Sequence, residues 1–213
     1  LMEKTQRNIV TEPQASAIPT NGYYHAQGRV GINPAGQETV LVGGNYSNKA
    51  WLRSTETASV ANKLDPLDVE RIYAEYADIK VNAVRLNFNA RYFEETNTHY
   101  VYNQAMFNWV DSNAAAARAN NIGIILGMHH PCWATISASA TAHKNVWLPE
   151  NMNRNHVLWQ KSAAHYKHEP TIIGYGILNE PIPPMSNGET TQDAVRKWDV
   201  FAQRLIDTIR GTG

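Results

Sequence analysis

Residues 172–181 read IIGYGILNEP, and this stretch decides the fold. Its apolar and glycine-rich part, residues 172–178, is typical of a short strand that is buried on both faces, as in a parallel sheet. Asn179 and Glu180 follow, and Pro181 then stops further sheet pairing because it has no backbone N–H. The stretch therefore predicts a buried parallel strand with an amide and a carboxyl group at its end.

The same alternation of strand and helix recurs along the chain. Apolar runs predict buried strands at residues 39–44, 82–88 and 122–128, and a shorter strand at residues 30–32 precedes a turn at residues 33–36. Helices are predicted at about residues 65–79, 103–120, 155–168 and 191–210. The first helix has Asp65 and Pro66 at its start and an apolar stripe made of Val69, Ile72, Tyr73, Tyr76 and Ile79.

Apolar strands that alternate with helices indicate a parallel sheet covered by helices. The units recur every ~40–50 residues, and the excess length lies in the loops after the strands, which form the active sites of (β/α)₈ barrels. We therefore predict an α/β fold of the parallel (β/α) barrel type with about four βα units, half of a TIM barrel, over residues 25–213, after an irregular lead-in at residues 1–24. A doubly wound sheet is the alternative, but residues 43–46 (GGNY) are not its glycine-rich phosphate turn.

The composition is typical of a soluble globular protein and argues against several classes of function. Hydrophobic residues make up 43% and charged residues 18% of the chain, with no formal net charge. The sequence shows no basic face for nucleic acid and no apolar run of the ~18–20 residues that a membrane span needs. The single cysteine, Cys132, cannot form an intramolecular disulfide. Residues 1–4 contain no signal-peptide core, so any export signal is removed or was never present, and we expect a secreted protein without a cofactor.

Glu180 is the strongest catalytic candidate. A carboxyl group at a strand end lies at the mouth of a barrel, and a partly apolar pocket there would keep it protonated, ready to donate to a leaving-group oxygen. Asn179 beside it is placed to bond a sugar hydroxyl next to the scissile bond. The alternative is a strand-terminal glutamate that pairs with an arginine.

Two further polar positions interrupt apolar strands. Arg85 is costly to bury without a carboxylate, so it forms a structural ion pair or steadies a catalytic carboxylate. His129 and His130 are adjacent on a strand and should point to opposite faces, which disfavours a shared metal ion. We expect His129 to bind a substrate hydroxyl and His130 to pack, with no metal.

Four motifs in sequence order resemble those of glycoside hydrolase family 5 and its barrel relatives. They are VLVGGN at residues 40–45, NAVRL at residues 82–86, IILGMHHP at residues 124–131, and NEP at residues 179–181. The helix at residues 159–167 resembles the one that leads into Asn-Glu-Pro, and the resemblance covers about residues 23–210. One local departure is Gly127, where many relatives have aspartate, and this change affects how His129 is oriented.

The resemblance implies a retaining, endo-β-glucanase or cellulase-like hydrolase that acts on β-linked oligo- or polysaccharides. Glu180 matches the family's acid/base, Arg85 its buried active-site arginine, which bonds the nucleophile, and His129 its histidine. The family's nucleophile glutamate comes from the seventh strand, and this chain has no candidate for it.

Two explanations of the missing half are open. The chain is either a fragment of a longer product or a complete half-barrel. A complete half-barrel would expose two sheet edges and an apolar layer, so we expect it to form a homo-oligomer.

Aromatic and acidic residues in the loops after the strands are secondary candidates. Trp133, which we assign to substrate binding, and also Trp147 and Trp51, would stack on sugar rings or equally anchor their loops. The loop carboxylates are expected to be solvated surface groups: Glu94, Glu95, Glu150 and Glu189.

The sequence is compatible with three functions. The first is a glycoside hydrolase that uses Glu180, and the second is a non-catalytic carbohydrate-binding or scaffold half-barrel. The third, an unrelated α/β-barrel enzyme, is disfavoured because the chain lacks phosphate-binding and Schiff-base lysine signatures.

Overall fold

A small antiparallel sheet opens the described part of the chain. The structure, a computed structural model, describes residues 23–46, 67–95, 98–131 and 146–213. Strands β1 (His25–Gln27), β2 (Val30–Ile32) and β3 (Glu38–Thr39) pair in this order. The predicted turn between β2 and β3 is closed by Asn33, whose Oδ1 accepts from the N–H groups of Ala35 and Gln37, both at 3.0 Å.

The centre of the structure is a four-stranded parallel sheet flanked by helices. The remaining elements, in chain order, are β4 (Gly43–Tyr46), α1 (Leu67–Asp78), β5 (Ala83–Asn89), β6 (Glu94–Glu95), β7 (Thr98–Tyr102), α2 (Gln104–Ala119), β8 (Gly123–His130), α3 (Pro149–Tyr166), β9 (Ile172–Gly176) and α4 (Thr191–Arg210). The sheet order β4-β5-β8-β9 follows the chain, and every pairing in it is parallel. This arrangement confirms the predicted α/β fold with about four βα units.

The two faces of the sheet differ in polarity because side chains alternate along a strand. On one face, Leu86 of β5 and Leu126 and Met128 of β8 are completely buried beneath the helices. The other face of β5 carries Arg85, Asn87 and Asn89. The helix-covered face holds the core, and the opposite face is left for polar groups. None of the helices that the structure describes is long and apolar enough to cross a membrane.

The predicted helix bounds differ in accuracy because the local signals differ in strength. Helix α4 has the predicted bounds, and its start is fixed by a capping box in which Thr190 and Asp193 each bond the other's backbone N–H. Helix α3 begins at Pro149, before the predicted residue 155; it has no side-chain cap, and the start signal given by Pro149 and Glu150 was overlooked. Ile79, assigned to the apolar stripe of the first helix, is 70% exposed because α1 ends at Asp78. Asp65 and Pro66 lie outside the described residues.

The predicted buried strand at residues 39–44 is wrong: Thr39 belongs to β3, and only Gly43 and Gly44 lie in β4, where both are exposed. Val40 is 78% exposed, Leu41 and Val42 are also exposed, and strand β4 begins only at Gly43. The reason is that β4 lies at an edge of the described sheet, so this segment has a neighbour on one side only. On that side the segment is bonded by the Asn82 side chain. Its Oδ1 accepts from the Val42 N–H at 2.7 Å, and its Nδ2 donates to the Val40 carbonyl at 2.9 Å.

A hairpin of β6 and β7 follows β5 and was not predicted, because its strands are too short to give a periodic signal. It is held by a buried ion pair between Glu94 and Arg154 of α3, whose side chains are 4% and 11% exposed. Glu94 also accepts from the Tyr100 N–H at 3.2 Å, and Arg154 donates to Asn151 at 3.1 Å. The expectation that Glu94 is a solvated surface group is therefore wrong.

The buried pair gives a stability prediction. We expect Glu94→Gln to lower the free energy of unfolding by about 3–5 kcal/mol, because it removes the buried carboxylate charge that faces the Arg154 guanidinium. Urea denaturation followed by circular dichroism measures this. Glu75→Gln is the control, since Glu75 pairs with Arg71 on the exposed surface of α1 and should cost at most about 1 kcal/mol. Equal effects of the two substitutions would contradict the burial of the pair.

Candidate active site

Polar side chains meet on the open face of the sheet, toward the carboxyl ends of its strands. The parallel register places Asn45 of β4 beside Arg85 of β5, and Asn87 of β5 beside Gly127 of β8. Asn45 accepts at its Oδ1 from Arg85 Nη1 at 3.5 Å and from Asn87 Nδ2 at 3.2 Å. The three side chains therefore form one hydrogen-bonded group across two strands.

Arg85 extends this group to the end of β9. Its Nη2 donates to Asn179 Oδ1 at 3.2 Å, which joins the second and fourth strands of the sheet across β8. Arg85 is only partly buried, and within the described residues the guanidinium bonds to amide oxygens and not to a carboxylate. The structural ion pair that we considered for Arg85 is thus not found in the described part of the chain. Its contact with a nucleophile stays a prediction.

Glycine at position 127 makes this reach possible. A Cβ atom built on Gly127 would lie 2.8 Å from Asn87 Oδ1 and 2.9 Å from Arg85 Nε. Both distances are shorter than the contacts that Cβ atoms make with other heavy atoms in proteins. Its neighbour Gly176 has Arg85 Nη2 at 3.8 Å from the corresponding point. The Arg85 side chain therefore lies across the backbone of β8. A side chain at position 127 would require Arg85 or Asn87 to move.

The Asn179-Glu180-Pro181 motif lies where β9 ends. The Asn179 N–H donates to the Met128 carbonyl at 3.0 Å, so the contact with β8 continues past Gly176, the last residue of β9. Glu180 then has φ +44°, in the left-handed region that non-glycine residues rarely adopt, and its side chain is exposed. The partly apolar pocket expected around Glu180 is not formed by the described residues. The motif turns the chain sharply out of the sheet and leaves the carboxyl group accessible.

His129 and His130 do not point to opposite faces as expected. Their ring centroids are 4.6 Å apart with an interplanar angle of 74°. The pairing of β5 with β8 shifts between Phe88 and Asn89, and such a bulge re-aims the side chains beside it. Within the described residues, no group of three or more histidine, cysteine, aspartate or glutamate side chains is placed to hold a metal ion.

The predicted aromatic candidates have different outcomes. Trp133 and Trp51 lie outside the described residues, so their roles stay predictions. Trp147 anchors a loop: its Nε1 donates to the Ile182 carbonyl at 2.9 Å, and its ring packs edge-on against Phe201 with centroids 5.4 Å apart. The loop-anchoring alternative for Trp147 is the one that the structure favours.

Asn45 and Asn87 were missed by the sequence analysis. Asn87 is 5% exposed, and among the described residues its Oδ1 has no hydrogen-bond partner, so it offers a buried acceptor at the site. The signal was present in the sequence, because Arg85, Asn87 and Asn89 alternate with apolar residues at the spacing of one strand face.

Comparison with known proteins finds one family whose model covers most of the chain. The family model described as Cellulase (glycosyl hydrolase family 5) matches residues 35–213. An endoglucanase of Paenibacillus polymyxa is 25% identical over 214 residues, which is 93% of this chain and 49% of the endoglucanase.

Two solved structures have a similar fold. An endogalactoceramidase superposes with a TM-score of 0.70 at 21% identity, over 90% of this chain and 50% of that one. The Pseudomonas stutzeri endoglucanase Cel5A gives a TM-score of 0.59 at 20% identity, over 82% and 49%. The chain thus spans about half the length of these relatives, as a half-barrel would.

The close approach at Gly127 can be tested by unfolding. We expect Gly127→Ala to lower the free energy of unfolding by about 1–3 kcal/mol, because the added methyl group displaces Arg85 and Asn87. Gly174→Ala is the matched control on β9, where the methyl group would be in ordinary contact with Ile125 at 3.7 Å. Urea denaturation should show little loss for the control. A harmless Gly127→Ala would contradict the position of the Arg85 side chain.

The backbone of Glu180 gives a second prediction. We expect Glu180→Gly to raise the free energy of unfolding by about 1 kcal/mol, because glycine adopts a positive φ without steric cost. Glu180→Gln changes the charge and keeps the strained backbone, so it should leave stability nearly unchanged. Thermal unfolding of both variants makes the comparison, and a Glu180→Gly variant less stable than Glu180→Gln would argue against the strain.

Proposed function

Because the chain belongs to glycosyl hydrolase family 5, we propose that the protein carrying it hydrolyses a β-linked glucan, with Glu180 as the general acid/base. One observation supports this assignment most directly. Asn179 is fixed by the Arg85 guanidinium and the Met128 carbonyl, and the accessible carboxyl group of Glu180 follows it at the carboxyl end of β9. In barrels of this type, that end of the sheet is where active sites lie.

The proposed reaction proceeds in two steps with retention of configuration. In the first, a second carboxylate attacks the anomeric carbon while the Glu180 carboxylic acid protonates the glycosidic oxygen, so that the bond to the leaving group breaks and a glycosyl ester forms. In the second, the Glu180 carboxylate takes a proton from a water molecule whose oxygen attacks the anomeric carbon. The ester bond breaks, which frees the second carboxylate and releases the sugar. Asn179 is adjacent to Glu180 and would bond the neighbouring sugar hydroxyl.

The second carboxylate would come from the part of the relatives that this chain does not span. Retaining glycosidases hold their two carboxyl groups ~5–5.5 Å apart. Arg85 supports such a partner, since a guanidinium has five N–H donors and the described bonds use two of them. The remaining donors suit a carboxylate that approaches the open face of the sheet.

The choice of a β-glucan rests on the endoglucanase of Paenibacillus polymyxa, which matches over most of this chain. His129 lies at the carboxyl end of β8 and would bind a substrate hydroxyl, and Trp133 would stack on a sugar ring.

A non-catalytic carbohydrate-binding role is the second candidate. It is favoured by the bonds of Arg85 to the amide oxygens of Asn45 and Asn179, because such a group can bind sugar hydroxyls without any carboxylate partner. Calorimetry with cello-oligosaccharides, combined with a hydrolysis assay, separates the two functions. Binding without any hydrolysis by the full-length protein would favour the second candidate.

Glu180→Gln tests the acid/base assignment. In the full-length protein we expect kcat on a soluble β-glucan to fall by ~10²–10⁴-fold, because the amide cannot donate a proton to the leaving oxygen. Glu150→Gln is the control, since this carboxyl group on α3 is 64% exposed and bonds only to His99 among the described residues. Undiminished hydrolysis by Glu180→Gln would rule out the proposed role.

A further inference from the structure

The segment after β9 has no regular secondary structure before α4. It contains Pro181, Pro183 and Pro184, none of which has a backbone N–H to donate, and no helix or strand lies between Gly176 and Thr191. At the three prolines only the backbone carbonyl can form a hydrogen bond, and carbonyls of this segment accept from side chains elsewhere in the protein. Glu180 lies in this segment with a strained φ of +44°, so its position depends on those contacts.

Three side chains donate to carbonyls on the two sides of Glu180. Trp159 Nε1 donates to the Ile177 carbonyl at 2.9 Å, which holds the chain before the motif. After the motif, Trp147 Nε1 donates to the Ile182 carbonyl and Lys197 Nζ to the Pro184 carbonyl, both at 2.9 Å.

The two residues that donate after the motif, Trp147 and Lys197, are both connected to helix α4. Trp147 packs edge-on against Phe201, which is 5% exposed and belongs to the core beneath α4. Lys197 on α4 also bonds Glu189 at 2.6 Å, and Glu189 in turn accepts from the Ser186 N–H at 2.6 Å. The hydrogen bond from Lys197 holds the pKa of the Glu189 carboxyl below its usual range, so the pair stays charged near neutral pH. The loop is thereby tied to α4 at several points.

We propose that Trp147 and Lys197 are positioning residues for the acid/base. Their hydrogen bonds to the Ile182 and Pro184 carbonyls keep the backbone of Glu180 in its left-handed conformation. The Glu180 carboxyl group is thereby held within hydrogen-bonding distance of the glycosidic oxygen. Neither residue needs to touch the sugar. The proposal rests on the proposed function of Glu180, and it assigns Trp147 a role through the backbone instead of ring stacking on substrate.

The test uses two aryl β-cellobiosides in the full-length protein. Cleavage of the phenyl glycoside needs a proton from Glu180, whereas the dinitrophenyl glycoside has a leaving group that departs without one. The kcat/KM value reports the step in which the leaving group departs, so its ratio for the two substrates measures acid assistance. A loss of fold alone would lower both values together and leave the ratio unchanged.

We expect Trp147→Phe, which keeps an aromatic ring and removes the N–H donor, to lower kcat/KM for the phenyl glycoside by about 3–10-fold, the equivalent of one hydrogen bond. The value for the dinitrophenyl glycoside should stay nearly constant. Trp198→Phe is the matched control, because Trp198 packs edge-on against the same Phe201 ring without a described bond to the loop. Its ratio should equal that of the parent protein.

Lys197 provides a second variant on the helix surface. Lys197→Met keeps most of the aliphatic chain and should change the ratio in the same direction, while Lys197→Arg, which restores a donor, should recover part of it. Arg196→Met on the neighbouring position of α4 is the control, since Arg196 bonds Asp193 and is 70% exposed. These variants keep the proposal testable even where Trp147→Phe is unstable.

The outcomes separate the two proposals. Glu180→Gln must itself lower the phenyl glycoside value more than the dinitrophenyl value, and its failure to do so would overturn the proposed function. If Glu180→Gln does so but Trp147→Phe and Lys197→Met leave the ratio unchanged, the positioning role is wrong. An equal loss on both substrates with a raised KM would instead indicate that Trp147 stacks on the sugar.

Discussion

The reach of one side chain across a strand governs the architecture of the site. Arg85 begins on β5 and bonds Asn179 after β9, with β8 between them. A parallel sheet holds neighbouring strands ~4.8 Å apart, so the side chain has to lie flat on the backbone of β8. Glycine at position 127 leaves the room for it. The amide group of Asn45, the buried carboxamide of Asn87 and the turn at Glu180 are all arranged around this path.

The covered face of the sheet provides stability, and the open face carries the polar groups of the candidate site. The helices bury an apolar face that includes Leu86, Leu126 and Met128, and this burial provides the stability of the sheet. On the opposite face, the polar side chains of Arg85 and Asn87 lie beside Gly127 and Gly176, which have no side chain to bury. The carboxyl ends of the strands can therefore carry Asn179 and Glu180 in a strained, accessible turn. The chain after that turn is held by the indole of Trp147, which packs against the core, and by the ammonium group of Lys197 on α4.

Much of this architecture could be predicted from sequence, and the errors share a cause. Strands β5, β8 and β9 and the helix at residues 191–210 were predictable because apolar runs and the capping box are local signals. The misplaced features depend on neighbours that are distant in the chain. Residues 40–42 are exposed because β4 is an edge strand, and Glu94 is buried because Arg154 of α3 meets it. The side chains of His129 and His130 are re-aimed by a bulge that only the pairing of β5 with β8 creates.

The sequence by itself determined the order of strands and helices, the α/β class and the position of Asn179 and Glu180 at a strand end. Periodicity, caps and the proline stop are properties of adjacent residues, so they can be read along the chain. Only the tertiary structure decided that Arg85 bonds Asn45 and Asn179, that its side chain lies against Gly127 and that Trp147 holds a carbonyl beside the motif. These contacts join residues on different elements, and their existence depends on strand register and on the space between side chains, which the sequence does not encode locally.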